Sequence, residues 1–206
     1  MSKLILLRHG ESEWNKLNLF TGWKDVDLTN QGKIEAKLAA FAIQNLKVEI
    51  HHAYTSALKR AKNTLDIVLY ILKNKTPIVS NEALNERNYG DLTGLNKDDA
   101  RKKWGENQVQ IWRRSFDIAP VNGESLKDTY NRTIPYFKDN ILPKLQNEEN
   151  VIITAHGNSL RSIIMLVEEL NEQEIVNVEI NTGIPIVYTY ENKKMIKKTE
   201  LFVKRY

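Results

Sequence analysis

Two apolar segments of this chain end in the same dipeptide, a histidine followed by a glycine. The first is LILLRHGES at residues 4–12, and the second is VIITAHGNS at residues 151–159. Short uninterrupted apolar runs of this kind are typical of fully buried strands in a parallel sheet. Ligands of such sheets bind beyond the carboxyl ends of the strands. We therefore expect His9 and His156 to lie in one site.

The residues around His9 are suited to phosphate chemistry. A neutral imidazole is a nucleophile, and the guanidinium of Arg8 beside it matches the geometry of phosphate oxygens. Gly10 has no Cβ, which lets the backbone approach a ligand closely. The first segment therefore predicts attack of His9 on a phosphoryl group.

Length and composition limit the class of protein. With 206 residues the chain can bury a substantial core, and we expect a single catalytic domain over residues 1–206. The lack of cysteine excludes disulfides, thiolate catalysis and cysteine-ligated metals. A His-Glu-x-x-His spacing is missing from the sequence as well, so we expect no metal cofactor.

Charge and hydropathy narrow the choice of partners. The net charge is +4, with much of the excess in residues 193–205, which favours a small anionic substrate. We expect neither nucleic acid nor a membrane as partner. All apolar runs are far shorter than the roughly 20 residues of a membrane span, and the first is too short for a signal peptide. The expected location is therefore cytoplasmic.

Strand and helix signals alternate along the chain. This alternation predicts an α/β protein of three layers, α/β/α, with a mostly parallel central sheet flanked by helices. Helices are expected at 126–145, bent or broken at Pro135, and at 160–170. The expected strands cover residues 4–7, 50–54, 77–79, 151–155, 185–190 and 198–203.

Two more helices are expected from their caps and their apolar spacing. Thr29 is expected to cap a helix whose buried face consists of Ile34, Leu38, Phe41 and Leu46. Ser56 is expected to cap a second helix, with Arg60 in its first turn and with buried positions at Ala61, Leu65, Val68 and Leu72.

The stretch 82–123 is charged and aromatic and has few periodic apolar positions. A long segment of this kind inside an α/β fold is more often an active-site insert than a separate domain. A single arginine here is as often a solvated surface residue as a ligand-binding one. Adjacent Arg113 and Arg114 repel each other unless an anion lies between them, which favours an anion site.

Further motifs follow in order along nearly the whole chain: RHGESEWN at 8–15, FTGW at 20–23, DVDL at 25–28, AYTS at 53–56, LKRA at 58–61, LNER at 84–87, YG at 89–90, GLNK at 94–97, WRR at 112–114 and AHGNS at 155–159. Together they resemble the histidine phosphatase superfamily, and more closely its cofactor-dependent phosphoglycerate mutase branch. Arg-His-Gly alone is shared by many phosphatases, whereas the TGW, GLNK and WRR elements are specific to the mutases.

The resemblance implies a phosphoglycerate mutase-like fold and the interconversion of 3- and 2-phosphoglycerate in glycolysis and gluconeogenesis, primed by 2,3-bisphosphoglycerate without a metal. It implies that His9 becomes phosphohistidine, that Glu86 is the general acid and base, and that the transferring phosphoryl group is surrounded by Arg8, Arg60 and His156. It also implies a homodimer. The implied substrate-binding residues are Ser12, Asn15, Thr21, Gly22, Arg87, Tyr89, Lys97, Arg113, Arg114, Gly157 and Asn158.

Two other functions stay open at this point. One is a histidine phosphatase of the same superfamily that acts on small phosphoesters. The region between Arg114 and Glu124 is shorter than in longer relatives, and a more open mouth would let water reach phosphohistidine. The other is a phospholigand-binding module without catalysis, for which His9, Glu86 or His156 would be expected to be missing.

Overall fold

The computed structural model describes residues 1–202, and the strands within them form one sheet. These are β1 (Ser2–Arg8), β2 (His52–Thr55), β3 (Ile78–Ser80), β4 (Val151–Ala155), β5 (Pro185–Glu191) and β6 (Lys194–Glu200). Their spatial order is β3-β2-β4-β1-β5-β6. The first four strands run parallel to one another, and β5 and β6 add an antiparallel hairpin. The predicted α/β fold with a mostly parallel sheet is confirmed.

Helices cover the two faces of the sheet and connect its strands. No helix within residues 1–202 is both long and apolar enough to cross a lipid bilayer. The helices are α1 (Glu13–Lys16), α2 (Asn30–Gln44), α3 (Lys59–Leu72), α4 (Lys97–Trp104), α5 (Glu106–Arg114), α6 (Leu126–Tyr136), α7 (Leu142–Gln146), α8 (Gly157–Val167) and α9 (Glu172–Ile175).

Strand β1 divides its side chains between two hydrophobic cores. Leu4 and Leu6 pack on one face of the sheet with residues of α6 and α8, and Ile5 and Leu7 pack on the other with α2 and α3. All four are fully buried. Each buried side chain of this size contributes roughly 1.5–3 kcal/mol of transfer free energy. Burial on both faces explains why the strand reads as an uninterrupted apolar run.

The buried face of α2 is only in part the predicted one, since Leu38 is half-buried and Leu46, just beyond the helix, packs against the core. Ile34 and Phe41 are 48% and 52% exposed. The face that packs inward is formed by Gly32, Glu35, Ala36, Ala39, Ala40 and Ile43.

The reason lies at Gly32, whose backbone touches the segment after β1. A Cβ at Gly10 would lie 2.2 Å from the carbonyl oxygen of Gly32, and a Cβ at Gly32 would lie 2.1 Å from that of Glu11. Because the two backbones are in contact, α2 must turn the side that bears Gly32 towards the protein. The small alanines of that side then allow the helix to pack closely.

Helix α3 begins without the predicted serine cap. Its N-cap is Leu58, which makes no side-chain capping bond, and Ser56 points instead to the site described below. The predicted Ala61, Leu65 and Val68 are buried, as is Leu69, and the predicted Leu72 is half-buried against the same core.

Several element boundaries differ from prediction by a few residues. The helical run predicted over 126–145 is present: α6 continues through Pro135 to Tyr136 and passes into a π turn at Phe137–Ile141 before α7, so the run is not broken at Pro135. Helix α8 starts at Gly157 rather than at residue 160. The last strand is β6, which starts earlier than the predicted 198–203; residue 203 lies outside the described residues.

The stretch 82–123 contains more regular structure than the sequence indicated. Helices α4 and α5 lie within it, next to 3₁₀ turns at Glu82–Leu84 and Gly90–Leu92. A third core of Phe20, Leu92, Ala100 and Val109 packs beneath these helices. That core fixes the insert beside the carboxyl ends of β1 and β4.

Candidate active site

The two His-Gly dipeptides come together because β1 and β4 are neighbours. Arg8 is opposite Ala155 in their parallel register, so the next residues of both strands are His9 and His156. The two imidazole rings are buried, with centroids 4.9 Å apart and planes at 61°. The sequence predicted that the histidines would meet at this edge, and they do.

His9 is held in one tautomer. Its Nδ1 lies 2.7 Å from the carbonyl oxygen of Gly10, which can only accept, so Nδ1 carries the proton. Nε2 accepts a hydrogen bond from Nε of Arg60 at 3.3 Å. Burial, followed by the charges of Arg60 and Arg8, holds the pKa of His9 well below its usual value of 6.5. The ring is therefore neutral at pH 7, with a lone pair on Nε2.

Two guanidiniums lie near this imidazole, that of Arg60 buried and that of Arg8 half-buried. Arg60 is 1% exposed and donates to the backbone carbonyls of Gly22 and Lys24, at 2.9 and 3.0 Å. Burial lowers the pKa of Arg60 to about 10, which still leaves it a cation at neutral pH. Arg8 donates from Nη1 to the carbonyl of Ile180 at 2.8 Å. The positive charges of Arg60 and Arg8 are thus fixed by backbone carbonyls near His9 before any ligand arrives.

His156 is paired with the serine that was expected to cap α3. Ser56 Oγ lies 2.7 Å from Nε2 of His156 and also accepts from the backbone N–H of Leu58 at 3.2 Å. Among the described residues, Nδ1 of His156 has no hydrogen-bond partner. Burial and the neighbouring charge of Arg60 lower the pKa of His156 well below its usual value.

Glu86 brings a buried carboxylate to the same place. Its Oε1 accepts from the backbone N–H groups of Arg87 and Asn158, at 2.8 and 3.1 Å, and from the Asn158 amide at 2.9 Å. Burial would raise the pKa of Glu86, but these hydrogen bonds and the charges of Arg8 and Arg60 outweigh it and lower that pKa. A Cβ built on Gly157 would lie 3.7 Å from Oε2, so Oε2 faces the helix α8 terminus.

Most of the predicted site residues line one pocket above these groups. Four predicted residues lie directly behind the wall: Ser12, Gly22, Arg87 and His156. The predicted residues in the wall are Arg8, His9, Asn15, Thr21, Arg60, Glu86, Tyr89, Lys97, Arg113, Arg114, Gly157 and Asn158.

The residues behind the wall support those in it. Ser12 caps α1 and donates from Oγ to Oδ1 of Asn15 at 2.9 Å. Gly22 adopts a φ of +51°, which suits glycine, and presents its carbonyl to Arg60. The guanidinium of Arg87 is buried, lies 4.8 Å from the centre of the Tyr89 ring, and has no hydrogen-bond partner among the described residues.

The outer part of the pocket is strongly cationic. Burial lowers the pKa of Lys97, and the positive charge of Arg113 adds to that effect. Burial also lowers the pKa of Arg113. Such shifts are expected where cations converge in a partly buried pocket. This arrangement can hold a ligand with several negative charges.

Within residues 1–202, no group of three or more His, Cys, Asp or Glu side chains could hold a metal ion.

Comparison with known proteins identifies the family. The model of the histidine phosphatase superfamily (branch 1) matches residues 4–200. The chain belongs to this superfamily. The resemblance seen in the sequence motifs is therefore confirmed.

Two relatives of this histidine phosphatase superfamily member are similar over most of their length. The 2,3-bisphosphoglycerate-dependent phosphoglycerate mutase of Parvibaculum lavamentivorans is 54% identical over 203 residues, which cover 98% of this chain and 97% of the relative. The phosphoglycerate mutase of Schizosaccharomyces pombe is 57% identical over 186 residues, covering 90% of this chain and 88% of the relative. The first relative is thus nearly the same length as this chain.

A solved structure shows the shared fold. Bacillus stearothermophilus YhfR superposes with a TM-score of 0.83 at 24% identity, covering 95% of both chains. The sheet and the flanking helices of this superfamily member are therefore those of a known architecture.

Sequence reasoning missed two residues that position Glu86. Trp23 donates from Nε1 to the Glu86 carbonyl at 2.5 Å, and Arg132 donates from Nη2 to the same carbonyl at 2.9 Å. Arg132 also forms a two-point ion pair with Glu124, at 2.8 and 3.0 Å. Trp23 stands in a quoted motif, but Arg132 lies in the middle of α6, where nothing in the local pattern separates it from a surface arginine.

Sequence reasoning also missed part of the pocket wall, namely Leu19, Phe20, Arg161, Glu179 and Ile180. Arg161 could have been predicted as a site residue, because it follows the second His-Gly by one helical turn and so lies on the same helix face as Asn158. Its Nη1 donates to Oδ1 of Asn158 at 3.2 Å. Glu179 gave no signal, since it is a single acidic residue in a connecting segment.

Proposed function

We propose that this chain interconverts 3-phosphoglycerate and 2-phosphoglycerate through a phosphohistidine on His9. The observation that carries the proposal is the placement of a neutral imidazole, with Nε2 unprotonated, near two fixed guanidiniums beneath a cationic pocket. Relatives named 2,3-bisphosphoglycerate-dependent phosphoglycerate mutase, identical at about half of their positions, support this substrate class. A phosphatase acting on small phosphoesters is the alternative.

The residues of the pocket fit 2,3-bisphosphoglycerate as the primer. Buried polar atoms of the pocket wall without a protein partner among the described residues include Nε of Arg8 and Oγ1 of Thr21. Burying such groups unpaired is costly, and phosphate or carboxylate oxygens would satisfy them. When bound, 2,3-bisphosphoglycerate supplies the phosphoryl group that charges His9. Its anionic groups would be held by Arg8 and Arg60 inside and by Lys97, Arg113 and Arg114 outside.

His9 would act as the nucleophile. A bond forms between Nε2 and phosphorus while the bond from phosphorus to the departing oxygen breaks. Charge on the transferred phosphoryl oxygens is stabilised by Arg8 and Arg60, which are already in place and need no reorganisation. The Gly10 carbonyl accepts a hydrogen bond from Nδ1–H throughout the reaction and stabilises the positive charge that develops on the ring.

Glu86 would move the proton. In the resting site its lowered pKa makes it a carboxylate, which suits it to take the proton of a substrate hydroxyl that attacks phosphohistidine. Negative charge on a bound ligand favours the protonated carboxyl, which then protonates the departing oxygen in the opposite half-reaction. Oε1 is occupied by three donors, so Oε2 would be the atom that exchanges the proton.

His156 would donate a hydrogen bond to the phosphoryl group. The Ser56 hydroxyl can donate a hydrogen bond to Nε2 while Oγ accepts one from the backbone N–H of Leu58, which leaves the imidazole proton on Nδ1. An Nδ1–H without a protein acceptor is then available to an equatorial phosphoryl oxygen.

Isomerisation rather than hydrolysis requires that the ligand stays bound until one of its hydroxyl groups attacks the phosphohistidine. The cationic outer pocket provides that retention, because a multiply charged ligand is held at both ends and water is kept out. We further propose one catalytic domain with an active-site insert at 82–123, a cytoplasmic location and a homodimer, with no nucleic acid, membrane or metal involved.

The deciding experiment is an assay with 3-phosphoglycerate, with and without catalytic 2,3-bisphosphoglycerate, in which 2-phosphoglycerate and free phosphate are measured in parallel. Primer-dependent formation of 2-phosphoglycerate in excess of phosphate supports the mutase. Phosphate release without isomerisation would overturn it in favour of the phosphatase.

A further inference from the structure

One carboxylate faces the cationic outer pocket. Glu179 lies between α9 and β5 and forms part of the pocket wall. Its Oε1 accepts a hydrogen bond from Nη2 of Arg114, and its Oε2 lies 3.7 Å from Nη2 of Arg161. The Glu179 side chain is 64% exposed, so little packing holds it in this position.

The two arginines are fixed independently of Glu179. Nη1 of Arg114 donates to the Val176 carbonyl at 3.3 Å, and Nε of Arg161 donates to the Val178 carbonyl at 2.7 Å. The Arg161 side chain is only 12% exposed. Both guanidiniums would therefore stay at the mouth of the pocket if the Glu179 carboxylate moved away.

We propose that Glu179 is a specificity-determining residue that competes with the ligand for Arg114 and Arg161. An anionic group that binds these arginines has to displace the Glu179 carboxylate. The inference rests on the proposed function in one respect, since both place a ligand with more than one anionic group in this pocket. Neither Arg161 nor Glu179 is needed for the chemistry at His9.

Competition of this kind favours some anions over others. A phosphate group carries a charge close to −2 at neutral pH and has three acceptor oxygens, whereas a carboxylate carries one charge and has two. The phosphate therefore displaces Glu179 more readily than a carboxylate does. Glu179 would thereby weaken retention of monophosphorylated ligands that present a carboxylate at the mouth, and it would favour their release relative to bisphosphorylated ones.

The test is the binding of simple inorganic anions to the full chain, measured by calorimetry. Tripolyphosphate has anionic groups at both ends, whereas inorganic phosphate is a single group. Glu179→Gln removes the charge and keeps the shape of the side chain. It should bind tripolyphosphate about three- to ten-fold more tightly than the unmodified chain, with a change of less than about two-fold for inorganic phosphate.

Two variants serve as controls. Glu179→Asp keeps the charge and should bind tripolyphosphate more weakly than Glu179→Gln does. Glu172→Gln removes the same charge from an exposed position of α9 outside the pocket wall, and it should bind like the unmodified chain. Circular dichroism and melting curves check that every variant is folded, which the exposure of Glu179 leads us to expect.

Equal tripolyphosphate affinity in Glu179→Gln and the unmodified chain would overturn the proposal. So would an equal gain in Glu172→Gln, or a gain for inorganic phosphate as large as that for tripolyphosphate. None of these measurements requires turnover, so a failure to form 2-phosphoglycerate in the assay above would count against the proposed function alone.

Discussion

Nε of Arg60 donates a hydrogen bond to Nε2 of His9 across 3.3 Å. The same guanidinium is tied to the carbonyls of Gly22 and Lys24, so it cannot follow the imidazole if the ring moves. The lone pair of the proposed nucleophile is therefore held against a cation rather than a proton. This contact makes the activity of His9 depend directly on the charge at residue 60.

Arg60→Met should raise the pKa of His9, because it removes a positive charge that lowers it. Since the neutral ring is the active form, the acidic limb of kcat/KM should move to higher pH. The rate at its maximum should also fall by about 10²–10³-fold through lost charge stabilisation. NMR titration of His9 gives the pKa directly, and Arg60→Lys should keep the limb closer to its original position. An acidic limb that stays in place in Arg60→Met would contradict the coupling.

His9→Ala should abolish turnover, by at least about 10⁴-fold, because no other group in the described part of the pocket is placed to accept the phosphoryl group. Incubation with isotopically labelled 2,3-bisphosphoglycerate should leave this variant unlabelled. The matched variant His52→Ala, outside the pocket wall, should still be labelled. Substantial isomerisation by His9→Ala would rule out the phosphohistidine mechanism.

Glu86→Gln should reduce kcat by about 10²–10⁴-fold with little change in KM, because the amide can accept the same three hydrogen bonds but cannot exchange a proton. Steady-state and single-turnover kinetics separate the effect on kcat from the effect on KM. Glu82→Gln, at an exposed position of the preceding 3₁₀ turn, is the control. If only KM rose in Glu86→Gln, the carboxylate would be a positioning group.

The two buried histidines should make the fold sensitive to acid. The pKa values of His9 and His156 are lowered on folding, so below about pH 6.5 the unfolded chain binds protons that the folded chain does not. The free energy of unfolding should thus fall as the pH drops, by at most about 1.4 kcal/mol per pH unit for each histidine. Urea unfolding at a series of pH values measures the slope, which His156→Asn should reduce. A free energy of unfolding that rose as the pH dropped below 6.5 would contradict this prediction.

Two isoleucines of α2 test which face of the helix is buried. Ile43 is 1% exposed, so Ile43→Ala should cost about 2–5 kcal/mol of unfolding free energy. Ile34 is 48% exposed, and Ile34→Ala should cost less than about 1 kcal/mol. Chemical denaturation of both variants gives the comparison, and equal costs would show that the predicted face also packs.

The strands β1 and β4 were predictable from sequence because burial on both faces leaves an uninterrupted apolar run, as in Leu4 to Leu7. The exposed strand β6 has no such run, and its predicted bounds were wrong. The face of α2 was not predictable from apolar spacing. It is decided by the contact between Gly10 and Gly32, which joins residues from two different elements. The large apolar side chains of Ile34 and Phe41 weigh more in an apolar pattern than alanines do. The alanines are nevertheless the residues that pack against the protein.

The core of the site was predictable, because His9, His156 and Arg60 stand in motifs at the ends of strands or the start of a helix. The supporting residues were not. Ser56 has the local pattern of a helix cap, and only the fold brings it to His156. Arg132 reaches the Glu86 carbonyl from a helix far along the chain, so no local pattern could assign that partner.

The position of β1 and β4 inside the sheet has a consequence for partially open states. Both strands are flanked by other strands, and their amides should exchange with solvent only when the whole molecule unfolds. Lys97, Arg113 and Arg114 are carried by the short helices α4 and α5 on a small separate core, which can open locally. A locally opened molecule would therefore keep its two imidazoles side by side but would no longer bind the ligand. Water instead of a substrate hydroxyl would then attack the phosphohistidine, and free phosphate would be released.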